Sequence, residues 1–191
     1  MTHKPPMTYL YHRVPPDMIG TTLYPLNQMK DMPEFSQAYE SHKSKYDSNP
    51  RGSSRIWLMD QKIHPLKCLW NDVLFFSPVH PEDIAHAIKE SGCNHHESEW
   101  FVIHPYDLPR EQTTMAFFAF GQSVRMKENY LPFNPLLLPA HSTIPDETIS
   151  YYQDIAKNPD PSKRNPLYFV GITHILYKGT LETEGLERIV A

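Results

Sequence analysis

Residues 72–92, DVLFFSPVHPEDIAHAIKESG, set a buried strand directly against a helix. The apolar run 72–77 has the length of a strand covered on both faces. From residue 81 to 91 the pattern turns helical. Pro81 suits a first helical turn, Glu82 and Asp83 favour its positive end, and Gly92 stands where a terminating glycine is expected. Upstream, residues 8–14 (TYLYHRV) read as a strand stopped by Pro15 and Pro16. Its alternation puts Leu10, His12 and Val14 on one face and Tyr9, Tyr11 and Arg13 on the other. Downstream, residues 99–104 (EWFVIH) and 114–120 (TMAFFAF) read as strands, and 167–178 (LYFVGITHILYK) as one strand or two broken at Gly171.

Further helices are expected over 33–46 and 146–157. In the first, Phe35, Ala38, Tyr39, His42 and Tyr46 form one stripe; in the second, Ile149, Tyr152, Ile155 and Ala156 point inward. Thr183 is placed to cap a terminal helix running to Val190. Residues 47–54, 130–140 and 158–166 read as loops. About six strands and four helices without regular βαβ units predict a single α+β domain over 1–191, built on a twisted, mostly antiparallel sheet.

Composition limits the function. At 191 residues one domain is expected, and 40% hydrophobic with 12% aromatic residues excludes a fully disordered chain. A net charge of −4 leaves no overall basic footprint for nucleic acid. The apolar runs fall short of the roughly 20 residues of a membrane span. No secretory signal pattern opens the chain, so a cytoplasmic protein, or one exported by a specialised system, is expected. Two cysteines make no disulfide framework. The 19 prolines predict short elements and rigid loops.

Eleven histidines invite a metal reading, but Cys93, His95 and His96 match no zinc spacing, and His80 and His86 point apart on a helix. No metal is expected. Cys68, beside Leu69 and Trp70, reads as a core cysteine rather than a nucleophile. Trp70-Asn71-Asp72 enters an apolar strand, where polar side chains either converge on a cleft or bond a neighbouring backbone. His12, on the apolar face of its strand, is either a core histidine or the wall of a nucleotide pocket.

YLYHRV at 9–14, a glycine turn, then LYPLN at 23–27 resemble the opening of the ADP-ribosyltransferase superfamily in its histidine–tyrosine–glutamate branch. The blocks YHRVPP, LYPLN, CLWNDVLFFSPVHP and EWFVIHP also resemble a group of bacterial proteins of unassigned activity, some from intracellular pathogens. The superfamily resemblance implies a split, twisted β-sandwich around an NAD cleft. It implies that His12 contacts the nicotinamide or ribose, that Tyr24, in competition with Tyr11, Tyr39 and Tyr106, is a stacking aromatic, and that Glu182 or Glu184, with Glu99 as a further contender, supplies the late glutamate. Arg13, Trp70, Asn71 and Asp72 are further candidates for the NAD site. Partners on this reading are NAD as substrate and a protein acceptor. The competing expectation is a non-catalytic, effector-like module that binds a host or partner protein through its proline-ruled loops.

Overall fold

A computed structural model describes residues 7–47, 56–117 and 129–191. The chain is mixed α+β, with several antiparallel sheets and few helices. Three strands form the first sheet: β1 (Leu10–Arg13), then β6 (Glu99–Ile103) at the centre, then β11 (Arg188–Val190). Four form the second, in the order β5 (Leu74–Phe76), β9 (His174–Tyr177), β7 (Thr113–Ala116), β8 (Tyr130–Pro132). Every pairing in both is antiparallel. Two ribbons accompany them: β2 (Thr22–Leu23) with β10 (Leu181–Glu182), and β3 (Lys62–Ile63) with β4 (Cys68–Leu69).

Among the described residues a backbone bridge laces the two sheets together. The Tyr11 amide donates to the Ser77 carbonyl at 2.9 Å, and the Ser77 amide returns the bond to Tyr11 at 3.0 Å. Tyr11 belongs to β1 and Ser77 directly follows β5, both edge strands, so this pair joins the edge of one sheet to the edge of the other. Leu10, Phe76, Phe101, Ile103, Met115 and Ile175 fill the core between them.

Four α-helices flank the sheets among the described residues: α1 (Leu26–Met29), α2 (Ser36–Asp47), α3 (Pro81–Glu90) and α4 (Asp146–Ala156). The sequence signals at α3 are realised. His80 caps it by accepting from the Glu82 amide at 3.2 Å, and Gly92 takes φ +81° just past its end. Its Ile84 and Ile88 pack against Tyr151 and Tyr152 of α4. In α4 the buried residues are Thr148, Tyr151 and Tyr152, whereas Ile149, Ile155 and Ala156 are half-buried. The expected helix from residue 33 opens with a tight turn at Pro33–Phe35 before α2.

Several expectations are corrected. No terminal helix follows Thr183. Gly185 turns the chain at φ +79°, and residues 188–190 pair with β6 instead. Thr183 is buried, its hydroxyl donating to the Thr21 carbonyl at 2.7 Å, so it anchors a ribbon rather than caps a helix. The strand expected over 167–178 is shortened to β9, because Gly171 at φ +77° turns residues 168–171 away toward the helices. Residues 130–140 are more regular than expected: β8 is an edge strand, where Pro132 loses no needed bond, and a 3-10 helix covers Pro135–His141. Of the strand read at 114–120, residues 118–120 lie outside the described residues, as do 48–54 of the first loop.

Candidate functional site

Strand geometry turns His12 toward the gap between β1 and α2. Its Nδ1 lies 2.8 Å from the Phe75 carbonyl oxygen. A carbonyl only accepts, so Nδ1 carries the proton and Nε2 presents a lone pair in the neutral ring. Burial lowers the His12 pKa below the usual 6.5, the nearby His42 adds to this, and the Phe75 bond opposes it in part. The ring is therefore an acceptor at neutral pH, fixed in one tautomer and leaning on Phe76 at 5.5 Å.

His12 separates two cavities. The first, about 160 Å³, is walled by Leu23, Phe35, Val73, Leu74 and Phe75 with a small polar set: His12, Asp17, Thr22, Tyr24, His42, Tyr46 and Asn71. The second, about 270 Å³, is largely aromatic, with Tyr11, Trp70, Phe75, Phe76 and Phe169 beside His12, His174 and Arg13. Specific ligand sites commonly occupy about 300–1,000 Å³. Each cavity alone suits one ring, and they share His12, Tyr46 and Phe75.

The candidates separate accordingly. Tyr24 lines the first cavity, tilted against Phe35 at 5.2 Å. Asn71 lines it too, 1% exposed, its Oδ1 accepting from the Tyr46 hydroxyl at 3.0 Å. Trp70 lines the second cavity against Phe75 at 4.8 Å. Arg13 does so as well, its guanidinium 5.8 Å from the centre of the Tyr168 ring, although alternation along the strand predicts only one of His12 and Arg13 at a cleft.

Glu182 is exposed and lines neither cavity; it is connected to the first only through a neighbour. In the β2–β10 ribbon it stands opposite Thr22, whose hydroxyl donates to its carboxylate at 2.8 Å, and Thr22 lines the first cavity. Glu184 is exposed in the following turn and lines neither cavity. Asp72 is also absent from both linings. Its carboxylate accepts from the Asn27 side chain and the Leu69 amide, each at 2.7 Å, and faces a separate hollow beside Lys62 and Lys67. Residues 70–72 form a 3-10 turn rather than the start of a strand, and that turn sends Trp70, Asn71 and Asp72 in three directions.

Sequence reading missed Asp17, Thr22, His42, Tyr46 and His174. His42 and Tyr46 belong to the apolar stripe of α2, and that stripe is the signal: its helix covers the cavity instead of a solid core. The cysteines are reduced and buried. Burial pushes the Cys68 thiol up to about 11, and raises Cys93, whose Sγ donates to the Tyr152 carbonyl. Neither is an activated nucleophile. Among the described residues no group of three His, Cys, Asp or Glu side chains is placed to hold a metal ion, and no helix is long and apolar enough to cross a membrane. No known protein family, no curated protein and no solved structure matches the chain.

Proposed function

We propose that the chain binds NAD and either transfers its ADP-ribose to a macromolecule or hydrolyses it, on an ADP-ribosyltransferase-like arrangement of its two antiparallel sheets. One observation carries this reading: a neutral strand histidine, Tyr24 and Thr22 line one ring-sized cavity, and the Thr22 hydroxyl donates to the Glu182 carboxylate behind it. On this reading the nicotinamide ring occupies the first cavity against Tyr24. The rest of the dinucleotide runs toward the second, where Arg13 offers charge to the pyrophosphate.

The reaction breaks the bond between nicotinamide nitrogen and ribose C1′. Nicotinamide leaves with the electron pair, and water or an acceptor nucleophile bonds to C1′ and loses a proton. Positive charge builds on the ribose, as in glycoside cleavage. The Glu182 carboxylate is worth more to that charged state than to the ground state, which is the condition for acceleration. His12 and Thr22 position the ribose and the glutamate. Glu184 and Asp72 have no part in it.

Incubation with NAD, followed by chromatography for released nicotinamide and by label transfer from biotinylated NAD, tests the reading. Glu182→Gln is expected to lower turnover about 10²- to 10³-fold, with NAD binding retained. His12→Ala is expected to weaken both binding and turnover. No heat of binding at about 1 mM NAD, a Kd worth only about 4 kcal/mol, overturns it.

The partner-binding reading draws on a different observation. Leu131, Leu136 and Leu137 are exposed, Leu136 to 70%, on the segment expected to be a binding loop. It predicts that Leu136→Glu with Leu137→Glu abolishes any cellular phenotype of expression while His12→Ala does not. The reverse ranking favours the enzyme.

A further inference from the structure

Three buried side-chain atoms among the described residues have no hydrogen-bond partner: Asn71 Nδ2, His95 Nδ1 and Trp100 Nε1. Of these residues Asn71 alone lines the His12 cavity. The Tyr46 hydroxyl donates to its Oδ1 at 3.0 Å, and the NH2 end is left unanswered. A buried donor without an acceptor is costly to keep, and a ligand acceptor relieves it.

The same cavity offers a complementary group. With Nδ1 committed to the Phe75 carbonyl, His12 presents Nε2 as an acceptor. The Asp17 carboxylate also lines the cavity and opposes an anion there. Thr22, Tyr24, His42 and Tyr46 add polar tips to walls that are otherwise apolar, and about 160 Å³ is close to the roughly 150 Å³ that holds one benzene ring.

We infer that Asn71 is a ligand-binding and specificity-determining residue: the cavity selects a single flat ring bearing an uncharged carboxamide or lactam. The ligand carbonyl accepts from Asn71 Nδ2 and its N–H donates to His12 Nε2. This deepens the NAD reading, on which it rests for the identity of the natural ligand. A carboxylate in place of the amide lacks the proton for His12 and meets Asp17. A ring with neither group leaves Asn71 unsatisfied.

The test uses the full chain and three small probes: nicotinamide, 3-acetylpyridine, which keeps the acceptor but lacks the N–H, and 3-methylpyridine, which has neither. Affinity is expected to fall in that order, with nicotinamide at least about tenfold tighter than 3-methylpyridine. The Asn71 side-chain amide protons are expected to shift in NMR spectra with the first two probes only. In Asn71→Leu the preference for nicotinamide is expected to collapse while 3-methylpyridine binding is kept. Should that variant fail to fold, the probe series and the amide shifts on the unaltered protein decide alone. Equal affinities, equal weakening of all three probes in Asn71→Leu, or no binding of any at about 10 mM overturns the assignment. A collapsed preference without NAD turnover upholds Asn71 and removes the transferase reading. Turnover with an unaltered ring preference in Asn71→Leu does the opposite.

Discussion

His12 ties the site to pH. Its native pKa lies below 6.5 because burial opposes the charged ring, and His174, bonded through Nδ1 to the Ile172 carbonyl at 2.7 Å, is lowered for the same reason. The unfolded chain therefore takes up protons at these positions before the folded one does. Stability is fully present above about pH 6.5 and is lost as pH falls toward the native values. Thermal midpoints measured from pH 8 down to pH 5 are expected to drop below about 6.5, and His12→Gln with His174→Gln to flatten the drop. An unchanged slope in the double variant would show that other groups govern it. The residue scale is also where the sequence was most ambiguous. Asn71 and Asp72 are neighbours of similar chemistry, yet one lines the cavity and the other caps the Leu69 amide. A 3-10 turn separates them, and composition does not announce so short a turn.

At the scale of the element, legibility followed length. α3 declares itself through Pro81, its acidic first turn and Gly92, and it formed where read. The ribbons did not declare themselves, because two-residue strands such as β2 and β10 have no periodicity to detect. LETEGLERIV offers helix formers, but Gly185 and the open edge of β6 make pairing the better use of its backbone groups. Gly179, between β9 and β10, is required for lack of a side chain: a Cβ there would collide with the buried Tyr177 ring. Gly179→Ala is expected to cost about 1–3 kcal/mol, read as a lower urea midpoint. Because β10 carries Glu182, turnover of NAD, where present, is expected to fall with it.

For the whole molecule, the α+β character was readable from the residues, a split sheet was expected only through the resemblance, and the contact that joins the sheets was not readable. The sheets are joined by the Tyr11–Ser77 pair, a contact between residues 66 positions apart that leaves no local pattern. The pair is buried, and its amides are expected to exchange with solvent only through the largest opening, matching the stability measured by denaturant. Faster exchange would mean that the sheets separate before either unfolds. Cys68 and Cys93 extend this to the helices, since they sit in different apolar clusters, Cys68 in β4 against Ile63 and Leu176 and Cys93 with the residues of α3 and α4. Shielded and protonated, each sulfur is a silent chronometer: an alkylating reagent records the moment its own compartment comes apart, and matching rates at the two would mean the protein breathes as one body.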